Sequence, residues 1–215
     1  MNTILLFIFQ LAILLFSVMI HEISHGLAAL KLGDETAKYA GRLTLNPLKH
    51  LDPVGSFAIP LLLILSGSGV VIGWAKPVPY NPAMLHKDYK YGPLKVALAG
   101  PLSNMAIALV FGIIIRLAGG LLGQTMLSLL GFVVFLNILL AVFNLLPFPP
   151  LDGSKILTTF LPKNMSLGLE RFGLLGMVFI LVFLFFFFPI ISGIAFSIFE
   201  LIVGPSGAGN FVNFF

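Results

Sequence analysis

Residues 4–30, ILLFIFQLAILLFSVMIHEISHGLAAL, decide the fold. The run exceeds the roughly 20 residues that a helix needs to cross a bilayer. Met1-Asn2-Thr3 supplies no basic n-region and no small-residue cleavage site follows, so the run is read as a retained helix rather than a cleaved leader. Its only ionisable side chains are His21, Glu22 and His25, gathered within one helical turn near its C-terminal end. Such groups cost several kcal/mol in lipid unless partnered, which makes them a functional signal.

The rest of the chain repeats the pattern. Of 215 residues, 59% are hydrophobic and 9% charged, against roughly a quarter charged in a soluble domain, and the mean hydropathy is +1.08. A water-facing globule is excluded, because too few polar side chains exist to cover it. Uncharged stretches occupy 1–20, 53–75, 96–115, 117–151 and 172–199. The expected fold is therefore an all-α polytopic membrane bundle, with one membrane-embedded unit over 1–203 and a loosely ordered, Gly-containing tail over 204–215. Full spans are expected at 4–30, 96–115 and 126–146. Residues 172–203, broken by Pro189, read as one long span or two short ones. Between the first two spans lie a short extended segment, Gly41-Arg42-Leu43-Thr44-Leu45-Asn46-Pro47, and an apolar stretch, 53–75, interrupted by Ser66-Gly67-Ser68-Gly69. The net charge of +4 is spread over loops without interleaved aromatics, a topology signal rather than a nucleic-acid surface.

His21 and His25, four apart, share one helix face with Glu22 beside them, the helical half of a zinc site. With four His and four Glu in the chain, His-Glu-x-x-His arises by chance on the order of 0.001 times. The competing structural reading is a set of polar residues that hydrogen-bond helices together. The chain has no cysteine, so a third donor must come from His50, His86, Asp34, Glu35, Asp52, Asp88, Asp152, Glu170 or Glu200. Most of these read as solvated loop charges. Asp152 stands apart: it follows 35 uncharged residues and the break at Pro147, Pro149 and Pro150, which fixes an unwound backbone. Gly153 permits a tight turn behind it, and Asp152 is also suited to cap a following helix.

His21-Glu22-Ile23-Ser24-His25, together with Asn144-Leu145-Leu146-Pro147-Phe148-Pro149-Pro150-Leu151-Asp152-Gly153, resembles the site-2 protease family of intramembrane zinc metalloproteases. The second motif of that family reads Asn-x-x-Pro-x-Pro-x-x-Asp-Gly, and every fixed position is filled. Gly100-Pro101-Leu102-Ser103-Asn104 resembles the family's Gly-Pro-x-x-Asn element. The resemblance spans about residues 10 to 160. It implies a Zn2+ cofactor held by His21, His25 and Asp152, Glu22 as catalytic acid/base, and Asn104 and Asn144 as polar groups lining the site, with Ser103 a further candidate for a water path. Without an inserted PDZ or CBS domain, the chain reads as a minimal catalytic core acting on transmembrane protein substrates in the lipid bilayer. The readings from other classes are a membrane metal-binding protein or transporter, and an inactive scaffold that binds helices. Glu22 separates them, because a non-ligating carboxylate suits general-base work rather than ion transport.

The zinc reading also constrains topology. His21 and His25 lie near the C-terminal end of the first apolar segment and Asp152 just past that of the fourth, so an even number of crossings must separate them. The spans at 96–115 and 126–146 supply two; 53–75 must then fold back as a re-entrant hairpin. With that topology the eight basic residues from Lys31 to Lys95 share a face with Lys155, Lys163 and Arg171, and only Arg116 opposes them. The positive-inside rule makes the crowded face cytoplasmic, with the N-terminus outside and the site near the cytoplasmic surface.

Overall fold

The computed structural model describes residues 3–58, 62, 75–162, 165 and 173–212. The described residues are mostly helical, with α-helices in the order α1 (Thr3–Lys31), α2 (Thr36–Tyr39), α3 (Gly92–Ala118), α4 (Gln124–Asn144), α5 (Asp152–Phe160) and α6 (Gly173–Val212). Four helices are long and apolar enough to cross a membrane: α1, α3, α4, and α6 over Phe185–Pro205. The chain is a multi-pass membrane protein, and α1, with 29 residues, measures about 44 Å.

Each helix ends where its residues dictate. Gly33, at φ +110, closes α1: its N–H donates to the Leu30 carbonyl at 3.1 Å and the Asp34 N–H to that of Ala29 at 3.0 Å, the paired bonds of a Schellman turn. Pro93 sits in the first turn of α3, where a missing N–H costs nothing. The bundle centre is α3, packed between α1 and α4, with α6 against α3 and α4. Ala108, Ile115, Val134, Ile138, Ala195, Phe199 and Val203 form the buried core of the latter layer. Small residues set the spacing: a Cβ at Gly112 would overlap the Ile202 side chain, the close approach on which packing in lipid depends. The outward faces are apolar instead, with Leu5, Phe7 and Ile8 of α1 and Phe185 and Phe186 of α6 more than half exposed.

Several sequence expectations meet a different outcome. Residues 173–203, which the sequence leaves open between one span and two, form one continuous helix through Pro189. The expected loose tail folds as far as it is described: Gly204, at φ +82, breaks the helix, residues 205–212 resume it, and Ala208 is buried while the Phe211 ring meets Phe199 at 5.0 Å. Apolar positions at 208 and 211 reach the core once glycine lets the chain turn. Residues 41–47 make bends rather than a strand, because Gly41 takes φ +63 and the Asn46 side chain caps a 3-10 turn at Pro47–Lys49. Extended pairing occurs instead as an antiparallel bridge between Leu51 and Ala75, backed by the Lys76 N–H donating to the His50 carbonyl at 2.9 Å. The two ends of the 53–75 stretch therefore lie side by side. Ser66-Gly67-Ser68-Gly69 and the turn of the expected hairpin lie outside the described residues.

Candidate metal centre

Two ligand candidates come from one helix. His21 and His25, one turn apart on α1, turn their rings edge to face at 4.6 Å between centroids, and their Nε2 atoms are 3.0 Å apart. The third comes from 127 residues further on: Asp152 Oδ2 lies 3.0 Å from His21 Nε2 and 3.1 Å from His25 Nε2. All three residues are buried, and they form the metal-capable cluster found among the described residues. His21 is ten residues from the Lys31 end of α1, a depth of about 15 Å along the axis.

Asp152 reaches this point because α4 stops at Asn144. The chain then turns through Phe148, whose N–H donates to the Leu146 carbonyl at 2.9 Å, and Leu151, whose N–H donates to that of Phe148 at 2.9 Å. The N-cap of α5 is Leu151, with no side-chain cap. Asp152 is the first helical residue, so the capping role expected for it is not taken up and its carboxylate is free to face the imidazoles. Its other oxygen, Oδ1, lies 3.5 Å from Lys155 Nζ. Gly153 is needed for space rather than for a turn, since a Cβ there would collide with the Leu145 and Leu146 carbonyls. Gly100 does the same on the opposite side: a Cβ would stand 2.5 Å from His21 Cε1 and from both Nε2 atoms. Only a residue without a side chain lets α3 pass the imidazoles this closely.

The hydrogen-bond partners of the two rings show what the cluster fits. His21 Nδ1 donates to Asn104 Oδ1 at 2.5 Å and His25 Nδ1 donates to the Val96 carbonyl at 2.7 Å. With the hydrogen on Nδ1, a neutral imidazole leaves a lone pair on Nε2. Two nitrogen lone pairs and a carboxylate oxygen thus point into one space, an arrangement that repels itself unless a cation is present. In a tetrahedral zinc site with Zn–N of 2.0–2.1 Å the ligand atoms stand about 3.3 Å apart, within a few tenths of the observed spacing. A His-His-Asp donor set leaving a fourth position open matches a catalytic rather than a structural zinc site.

Glu22 stays out of the triangle. Its Oε2 accepts the Val78 N–H at 2.7 Å, from the chain returning after the 53–75 stretch. That return is held by Arg42, buried, whose Nη2 donates to the carbonyls of Lys76 at 2.5 Å and Pro77 at 3.3 Å. Of the other residues singled out from sequence, Asn104 joins the cluster through His21. Asn144 donates to the Leu140 carbonyl of its own helix at 2.9 Å, and Ser103 to that of Gly100 at 2.7 Å. Gly100 and Asn104, four apart, share the α3 face toward α1, and Ser103 is rotated off it. Two groups read as solvated loop charges are buried: Asp34, 1% exposed, and His50, 0% exposed. Asp34 ties two loops together, accepting from the Thr36 N–H at 2.9 Å and the Asn81 N–H at 2.6 Å. Asn137, Arg42 and the Val78 N–H were not singled out from sequence. A lone amide in an uncharged span was the available signal for Asn137; the other two depend on long-range folding.

Comparison with known proteins agrees with this chemistry. Residues 115–187 match the family model of peptidase family M50. The chain is 37% identical over 177 residues to "Putative zinc metalloprotease YwhC" of Bacillus subtilis, covering 79% of this chain and 76% of the relative. It is 32% identical over 181 residues to "Putative zinc metalloprotease Rip2" of Mycolicibacterium smegmatis, covering 82% and 67%, and 29% identical over 206 residues to the Rip2 of Mycobacterium tuberculosis strain H37Rv, covering 95% and 76%. No solved structure matches the chain. The chain belongs to peptidase family M50, the site-2 protease family of membrane zinc metalloendopeptidases.

Proposed function

We propose that this protein is an intramembrane zinc metalloprotease that hydrolyses peptide bonds within or near the transmembrane segments of membrane proteins, in the manner of regulated intramembrane proteolysis. His21, His25 and Asp152 hold the ion, and Glu22 is the catalytic acid/base. The carrying observation is that three potential ligand atoms, two imidazole nitrogens and a carboxylate oxygen, converge within 3.1 Å about 15 Å inside an apolar helix. Zinc bound there supplies a Lewis acid for carbonyl polarisation and water activation near neutral pH. The protein residues do the rest. The Nδ1–H bonds of His21 and His25 fix both rings. Glu22 takes the proton of the attacking water and delivers it to the departing amine, so hydrolysis proceeds without a covalent intermediate. The Val78 N–H holds that carboxylate in place. A substrate helix hides its peptide bonds in its own hydrogen bonds and must unwind before cleavage. The adjacency of Leu51 and Ala75 supports a re-entrant course for 53–75, and with it an N-terminus outside and a site near the cytoplasmic face.

The test is zinc quantification combined with cleavage of a transmembrane reporter by the purified wild type and Glu22→Gln. The variant is expected to retain one zinc per chain and to lose cleavage. Retained cleavage refutes the assigned base, and a zinc-free wild type refutes the metal centre.

A further inference from the structure

Asn137 lies in α4, fully buried, and does not touch the metal-capable cluster. It belongs to a run of hydrogen bonds that leads there. Asn137 Nδ2 donates to the Val133 carbonyl at 2.9 Å and to Ser17 Oγ at 3.0 Å. Its Oδ1 accepts from Asn104 Nδ2 at 2.8 Å. Asn104 Nδ2 also faces the Ser17 carbonyl at 3.4 Å, and Asn104 Oδ1 accepts from His21 Nδ1 at 2.5 Å.

The polarity of this run is set at its far end. A backbone carbonyl can only accept, so the Asn137 atom facing Val133 must be the nitrogen. The opposite atom is then the oxygen, and the Asn104 atom facing it must in turn be a nitrogen. That turns the Asn104 oxygen to His21, which must carry its hydrogen on Nδ1 and keep the lone pair on Nε2. Flipping the Asn104 amide would set an oxygen against Asn137 Oδ1 and the Ser17 carbonyl and an N–H against the imidazole N–H. In a buried span no water is at hand to relieve those clashes. His25 reaches the same tautomer in one step, through the Val96 carbonyl; His21 has no backbone carbonyl on its Nδ1 and depends on two amides.

We propose that Asn137, with Ser17, is a positioning element of the metal site: it fixes the Asn104 amide and thereby holds His21 in the tautomer that binds zinc. This rests on the assignment of His21 as a ligand. Outer partners of metal-bound histidines typically contribute 10–100-fold to affinity, and one step further out the lower end, about tenfold, is expected for Asn137→Leu.

The experiment is a double-mutant cycle on the full chain in detergent or nanodiscs, reading the zinc dissociation constant by chelator competition. Asn137→Leu should weaken zinc about tenfold in the wild-type background and by less than twofold in an Asn104→Ala background, which is itself weakened. Alanine at 104 leaves no amide for Asn137 to orient. An equal loss in both backgrounds would show that Asn137 acts by helix packing alone and would overturn the proposal, as would unchanged affinity in the wild-type background. Should Asn137→Leu not accumulate as folded protein, Ser17→Ala replaces it, with a loss of severalfold expected on the same background-dependent pattern. His21→Ala separates the two levels of argument: unchanged zinc affinity there refutes the ligand assignment itself, whatever Asn137 does.

Discussion

Gly100→Ala puts the geometry of the centre under the most direct strain. The added methyl would lie 2.5 Å from His21 Cε1, His21 Nε2 and His25 Nε2. Comfortable carbon contacts fall at about 3.5–4.0 Å, so α3 and the imidazoles must separate by about 1 Å. Metal–ligand distances tolerate about 0.2 Å, a fifth of that displacement. Two of the three proposed ligands are struck at once and His21 loses its alignment with Asn104. Zinc affinity should therefore fall by about 100-fold or more, which corresponds to about 2.7 kcal/mol. The assay is chelator competition on purified protein, with circular dichroism to confirm helix content and reporter cleavage as the second readout. Gly193→Ala is the control: a Cβ there meets nothing within 4 Å, and alanine is the better helix former by ~1 kcal/mol, so zinc affinity should not change. A folded Gly100→Ala protein binding zinc within twofold of wild type would refute the reasoning.

Gly153→Ala should also release zinc and abolish cleavage, because its methyl meets two backbone carbonyls that cannot rotate away and the resulting tilt of α5 carries Asp152 with it; metal content of the purified variant checks this. Arg42→Gln should leave zinc content unchanged and lower kcat about tenfold or more, since general acid–base catalysis contributes 10²–10⁴-fold and the variant loosens the chain that delivers Val78 to Glu22; steady-state kinetics on the reporter separate the two effects. Burial opposes ionisation of Asp34, but donors from Thr36 and Asn81 outweigh it and hold its pKa below the ordinary aspartate value. Its native-state pKa is the lower one, so its contribution to stability is complete above the ordinary aspartate range near about 3.9 and is lost as pH falls through the native value. Thermal unfolding of wild type and Asp34→Asn across that range should show a wild-type margin at neutral pH that narrows in acid.

How much of this was legible beforehand followed from the range of the interactions. The spans were readable because hydrophobic runs of bilayer length are local, and α1, α3 and α4 fall where the uncharged stretches lie. His21 and His25 were readable because helical periodicity fixes their common face within five residues. Asp152 required more: an isolated acid beyond a proline cluster, made specific by the resemblance of two motifs. What sequence did not disclose depends on contacts between distant segments. Asn137 carries no periodic signal, and its neighbour Asn104 is 33 residues away. Asp34 and His50 looked like solvated charges because their partners are backbone groups, the Asn81 N–H of another loop for Asp34 and the Thr44 carbonyl for His50, which composition does not reveal. The extended segment at 41–47 was misplaced for a related reason: alternation marks β preference, but pairing needs a partner strand, and the pairing observed joins residues 51 and 75.

The division of the centre into two donors on α1 and a third after α4 has a consequence for how the molecule persists. On the proposed ligation, the ion is a cross-link between chain positions 127 and 131 residues apart, clasping the first element of the fold to the fifth. Whatever binds only the assembled state stabilises it by mass action, so occupancy and helix docking form one equilibrium. Starvation for zinc would then loosen the bundle as well as silence it, and the abundance of the protein in the membrane would follow the supply of the metal.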